Sequence, residues 1–135
     1  IIHCSDSDIE AHDDISVIRK WHTENGWTGS DGILGTSDDV GYHIYITKKG
    51  LVQYGRSLNE IGAHTRGRNR DSLSICIGGR NKFPKIQKIV LISTIKILLY
   101  SFGLTEINVK GHYEIDNKKT CPNICMNTLR DKLKA

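Results

Sequence analysis

His3, His112 and Cys121 are potential metal ligands, carried on two short segments that run from Ile1 to Ser5 and from Gly111 to Pro122. Two imidazoles and one thiolate can hold a divalent zinc ion and leave a fourth position for water, as in a catalytic zinc site. A structural zinc finger more often spends four ligands in close pairs. The first ligand lies about a hundred residues before the other two, so only a folded domain could bring them together. Taken singly, each has a plainer reading, the histidines as buried core imidazoles and the cysteine as a small apolar side chain.

The elements that must position these residues can be read along the chain. Its 135 residues suit one domain, spanning 1–135, with room for a core that needs no disulfides. Ile1 to Cys4 reads as a buried strand presenting His3. Asp13 or Asp14 can cap a helix from Ile15 to Glu24, where Ile15, Ile18 and the pair Trp21 and His22 fall at helical spacing, with His22 expected on the helix surface. Asn25 and Gly26 stop that helix. Thr28 to Asp39 is rich in Gly, Ser and Asp and reads as a surface loop.

Tyr42 to Thr47 and Leu51 to Tyr54 flank Lys48, Lys49 and Gly50 as a hairpin, and Ser72 to Ile77 reads as a further strand. After Pro84 the spacing predicts a helix from Lys85 to Phe102, closed by Gly103. Its oily stretch is broken by Gln87, Lys88, Ser93, Thr94 and Lys96, the pattern of an amphipathic helix on a sheet. Glu106 to Lys110 reads as a strand leading to His112, and a last helix covers Met126 to Lys134. Strands and helices alternate around one hairpin, so the expected class is α/β, a central mixed sheet flanked by helices.

Apolar residues make up 38% of the chain and charged residues 25%. No apolar run approaches the roughly 20 residues of a membrane span, so no membrane insertion is expected. The formal charge of +4, from 19 basic and 15 acidic residues, is compatible with an anionic partner such as a cell-wall polymer or a nucleic acid. Basic residues gather at Arg66, Arg68 and Arg70 and at Lys118 and Lys119, but without interleaved aromatic residues, so nucleic acid is not an expected partner. The four cysteines are expected to be reduced thiols. Asp31, Asp38 and Asp39 invite a calcium reading, but the EF-hand spacing is absent and a groove wall is the simpler view.

A set of short motifs then acquires meaning from its order: Ile-His-Cys-Ser at 2–5, Ile-Arg-Lys-Trp-His at 18–22, Gly-Trp at 26–27 and Val-Gly-Tyr-His at 40–43. Gly-Ala-His-Thr-Arg-Gly-Arg-Asn at 62–69, Ser-Ile-Cys-Ile-Gly-Gly at 74–79, Gly-His at 111–112 and Lys-Thr-Cys-Pro at 119–122 complete it. Over nearly its whole length the chain resembles the zinc-dependent N-acetylmuramoyl-L-alanine amidases of the peptidoglycan recognition protein superfamily, the type 2 amidases, and especially the short phage endolysins.

The resemblance implies that His3, His112 and Cys121 bind Zn2+ and that Tyr42 and Lys119 are catalytic. Tyr42 would orient the attacking water or transfer protons, and Lys119 would stabilise the oxyanion. Lys118 is the competing lysine, and Lys119, two residues before the cysteine, is the assignment. It further implies that His64, Arg66 and Asn69 border the substrate groove, with Arg66 and Arg68 able to meet stem-peptide carboxylates. The alternatives are an exposed loop histidine, a loop-fixing role for Asn69 and a solvated basic face. By strand alternation His43 and Cys4 should point away from the metal, and Glu114 follows His112 at strand spacing. The implied activity is hydrolysis of the amide between N-acetylmuramic acid and L-alanine in peptidoglycan by a monomeric endolysin. Without a visible signal peptide, such an enzyme is expected in the host bacterial cytoplasm before release to the cell wall. The alternative is a recognition module that binds peptidoglycan without cleaving it; retention of both histidines, Cys121 and Tyr42 favours catalysis.

Overall fold

The computed structural model describes residues 1–27, 29 and 39–134. Four three-residue strands, β1 (Ile2–Cys4), β2 (Ile44–Ile46), β3 (Val52–Tyr54) and β4 (Ile75–Ile77), form one sheet in the order β1-β4-β2-β3. β4 pairs in parallel with both β1 and β2, while β3 closes the hairpin antiparallel to β2. The sheet is therefore mixed, as the alternating sequence pattern predicts.

Alternation along these strands divides the molecule into two layers. Ile2, Cys4, Ile44, Ile46, Ile75 and Ile77 face one side. They meet Leu91 and Ile95 of α2 (Lys85–Phe102) and Met126, Leu129 and Leu133 of α4 (Met126–Leu133). On the other side Tyr45 and Cys76 pack with Val40 and with Ile15 and Ile18 of α1 (Ile15–Glu24). His3 pairs in register with Cys76, which pairs with Tyr45, so these three residues form a row across the sheet on the α1 side.

The two long helices begin and end where local chemistry directs. The Asp14 carboxylate accepts from the Ser16 backbone N–H at 2.8 Å and caps α1. α2 follows Pro84 and ends at Gly103, whose φ of 66° is a left-handed conformation that glycine adopts at little cost. Inside α2 the buried Gln87 amide donates to the carbonyls of Ile46 at 3.0 Å and Gly78 at 2.8 Å, tying the helix to β2 and to the end of β4.

One expected strand is replaced. Glu106–Asn108 is a 3-10 turn: the Asn108 side chain accepts from the Thr105 N–H at 3.0 Å, and the Asn108 N–H donates to the Thr105 carbonyl at 3.0 Å. These local bonds curl a segment whose Ile107 and Val109 alternate like a strand. Only a parallel bridge between Ile2 and Gly111 remains, with Ile2 N–H donating to the Lys110 carbonyl at 2.7 Å. His112 consequently opens a short helix, α3 (His112–Ile115). Glu114, predicted at strand spacing, instead accepts from the Gly111 N–H at 2.9 Å and forms a bidentate pair with Arg130. The strands also begin later than the sequence pattern predicts, at Ile44 and Ile75, which leaves Tyr42 just ahead of β2.

Leu91 is 1% exposed at the centre of the larger core. Leu91→Ala is expected to cost about 3 kcal/mol, the usual range for a leucine cavity, read as a lower urea midpoint without a change in slope.

Candidate metal centre and active site

His3 enters the site from the middle of β1, His112 from the start of α3, and Cys121 from the turn that follows α3. Their ligand atoms all lie within 4.8 Å of one another. The His3 and His112 rings are 4.5 Å apart and the Tyr42 ring stands 5.1 Å from His3. Four residues singled out in the sequence thus converge.

Two of the three candidate ligands, His3 and Cys121, are held from behind. His3 Nε2 lies 3.0 Å from His64 Nδ1 and 3.3 Å from Thr65 Oγ1, which leaves Nδ1 as the ring nitrogen for a cation. Such a partner on the second nitrogen sets the tautomer and orientation of a ligating imidazole. The His64 and Thr65 backbone N–H groups both donate to Asn69 Oδ1, at 2.9 and 2.8 Å. The Cys121 sulfur accepts from the Cys4 N–H at 3.0 Å, and the Cys121 carbonyl accepts from the Tyr113 N–H at 2.9 Å.

Electrostatics suit a cation. Burial, then the neighbouring His64 and His112, hold His3 well below the usual histidine range, so at neutral pH the ring is uncharged. Burial, followed by the Lys119 ammonium, lowers His112. A hydrogen bond shared with the Cys4 thiol, then burial, pushes the Cys121 thiol up, so a cation must displace its proton. Burial, then the Cys76 thiol beside the phenol, raises Tyr42 well above its ordinary value, and it stays protonated. Two neutral imidazoles and one thiol set around an approachable point fit a zinc ion with an open position.

The remaining candidates fall at different distances from this point. Lys119 is exposed, and it is the lysine whose charge His112 feels. His64 is half-buried behind His3, and burial lowers it to about 3. Asn69 fixes the loop through the two backbone bonds just described. Arg66 is exposed on the same loop, while Arg68 is engaged by Asp71 at 3.0 Å. His43 points away from the ligands: it accepts from the Ser74 N–H at 3.1 Å, and its Nε2 donates to the Glu60 carbonyl at 2.8 Å. Cys4 belongs to the opposite core, and all four cysteines are free thiols. Asp39 is buried and accepts from the Thr23 hydroxyl at 2.7 Å; Asp31 and Asp38 of the calcium reading lie outside the described residues.

His22 is a functional neighbour that sequence reading placed on the helix surface. Its Nδ1 accepts from the Gly41 N–H at 2.8 Å, and its ring lies 5.6 Å from Tyr42 and 4.6 Å from Trp27. Gly41 must approach closely, since a Cβ there would strike the Ala63 carbonyl. The chain entering Tyr42 is therefore clamped between α1 and the loop at Ala63. The signal was available, because His22 continues the buried stripe of Ile15 and Ile18 at helical spacing.

A mixed sheet backed by helices, with three candidate metal ligands gathered beside a protonated tyrosine, is the frame for comparison with known proteins. The family model for N-acetylmuramoyl-L-alanine amidase matches residues 1–124. The endolysin of Escherichia phage T7 is 29% identical over 129 residues, covering 90% of this chain and 78% of that protein. The endolysin of Enterobacteria phage K11 is 35% identical over 78 residues, and the match spans 58% of this chain and 45% of that relative. Among solved structures, the N-acetylmuramoyl-L-alanine amidase endolysin LysCS from Clostridium intestinale superposes with a TM-score of 0.80 at 25% identity, over 99% of this chain and 81% of that one. The peptidoglycan recognition protein PGRP-SA of Apis mellifera shares the fold, with a TM-score of 0.68 at 24% identity over 90% of this chain and 73% of that one. The chain belongs to the N-acetylmuramoyl-L-alanine amidase family, whose members hydrolyse the bond joining muramic acid to L-alanine in peptidoglycan.

Burial, then Arg56, lowers His22 to about 4 from an ordinary 6.5. The unfolded chain takes up this proton first. The stability that neutral His22 contributes is therefore complete above pH 6.5, falls as pH drops toward 4, and falls no further below that. His22→Asn, which keeps an acceptor but does not titrate, is expected to show a shallower loss of urea midpoint across this window.

Proposed function

We propose that the chain is a zinc-dependent endolysin in which His3, His112 and Cys121 hold the metal while Tyr42 and Lys119 act on the scissile amide. The observation that carries this reading is the convergence of the three ligand atoms within 4.8 Å beside the Tyr42 ring. A zinc ion bound there supplies Lewis acidity toward a carbonyl and lowers the pKa of water toward about 7.

The chain's own residues supply the rest. His64 and Thr65 hold the His3 ring so that Nδ1 faces the ligand cluster. The Cys4 N–H directs a hydrogen bond at the Cys121 sulfur and favours its thiolate form once a cation is present. Tyr42, kept protonated by burial, orients water or donates a hydrogen bond toward the reacting carbonyl. The exposed Lys119 ammonium stabilises the negative charge that develops on the carbonyl oxygen. The amine of L-alanine leaves after protonation.

His64, Arg66 and Asn69 belong to one loop bordering the site. In this reading Arg66 meets a stem-peptide carboxylate, while His64 and Asn69 shape the groove wall. The enzyme is one domain over residues 1–135, works as a monomer, and is made in the host cytoplasm before it reaches the cell wall.

The decisive assay is release of new L-alanine amino termini from purified peptidoglycan by native, chelated and zinc-reconstituted protein. Activity is expected to vanish with chelator and return with zinc; retention of the sacculus without release in any state would leave a binding module instead. In the same assay Tyr42→Phe and Lys119→Ala are each expected to lower kcat by about a hundredfold or more with zinc content unchanged. His112→Ala is expected to lose stoichiometric zinc, measured by metal analysis.

A further inference from the structure

The sequence pattern predicts an amphipathic α2 packed on the sheet; Lys88, Ser93 and Lys96 are exposed in keeping with it, but so are several large apolar side chains. Gln87, Leu91 and Ile95 form the buried stripe. On the opposite side Ile86, Ile89, Ile97 and Tyr100 are 48%, 49%, 65% and 90% exposed. At 3.6 residues per turn these four side chains share an arc about 80° wide. The exposed Ser93 falls within the same arc, so the face carries two apolar pairs, Ile86 with Ile89 and Ile97 with Tyr100, on either side of one small polar residue. Exposed apolar side chains gathered on one face mark a contact surface.

Charge indicates what makes the contact. The helix carries Lys85, Lys88 and Lys96, and no carboxylate occurs anywhere from Ser72 to Thr105. Gly50 packs against Ile86 and Val90, which brings the exposed Lys49 and Leu51 alongside the start of the stripe. On the other flank Lys132 of α4 shares a groove with Lys88. The surface thus carries two apolar pairs with Ser93 between them and lysines along its flanks.

We propose that the outer face of α2 seats the protein on an anionic phospholipid surface, with the helix in the membrane plane. The four apolar side chains enter the headgroup boundary while the lysines meet lipid phosphates, and an exposed tyrosine suits that boundary. A second copy packed α2 to α2 would bring lysines together with no acid on either helix to pair them. Nor does the helix cross the bilayer, since no described helix is long and apolar enough to do so. His3 projects from the opposite face of the sheet, so a seated molecule turns its ligand cluster away from the lipid. This surface does not depend on the catalytic reading.

The test is co-sedimentation of the whole protein with vesicles of equal parts phosphatidylglycerol and phosphatidylcholine, compared with phosphatidylcholine alone. Binding is expected to the anionic vesicles, weakened by salt. It is expected to fall about tenfold or more in the double variant Ile97→Ser with Tyr100→Ser, and severalfold in Lys96→Glu. Circular dichroism and hydrolysis of soluble wall fragments report that both variants remain folded. Equal sedimentation with both lipids, or binding that the substitutions leave unchanged, would overturn the proposal. So would a concentration-dependent dimer that the double variant abolishes in the absence of any lipid binding, since the face would then belong to a second copy.

Discussion

Strand register decides on which side of the sheet each β1 side chain falls, and β1 has only three residues with which to set it. The parallel pairing of Ile2, His3 and Cys4 with Ile75, Cys76 and Ile77 places the two flanking side chains in the larger core. It leaves His3 alone on the α1 side, beside Tyr42. A one-residue slip would exchange those faces, burying the imidazole among isoleucines and turning apolar side chains toward the site. The same strand presents the Cys4 N–H to the Cys121 sulfur, so a single register aligns one candidate ligand and the support of another.

Electrostatics impose a second condition. Left to themselves these groups prefer to be uncharged: the imidazoles because they are buried, the Cys121 thiol because it shares a hydrogen bond with Cys4 and is then buried. Neutral imidazoles have lone pairs to offer, and a thiol in this setting ionises when a cation replaces its proton. Nearby Lys119 adds positive charge that lowers the affinity of His112 for a proton. The cluster therefore disfavours charge on its own side chains while retaining atoms that could bind a metal.

Much of this was legible in the sequence because local signals are strong. Asp14, Pro84 and Gly103 mark helix ends by capping and backbone preference, and both long helices have the bounds those residues imply. The meeting of His3, His112 and Cys121 could be expected from residue type and motif order. Glu106–Asn108 misled because Ile107 and Val109 alternate like a strand, whereas a side-chain bond between neighbours decided the conformation. The support of His3 by His64 and Thr65 joins positions 61 and 62 residues apart and leaves no periodic trace. His22 was a different case: the helical stripe already pointed inward, yet the polar identity of the residue suggested the surface.

Cys4 and the Cys121 whose sulfur its backbone supports lie 117 positions apart in the sequence. During synthesis, at roughly 5 to 20 residues per second, the first histidine is exposed many seconds before the cysteine is made. A chain that stops short of His112 carries one of the three candidate ligands. The three side chains thus come together only after Cys121 has been made, and a chain cut anywhere between Cys4 and Cys121 lacks the cluster.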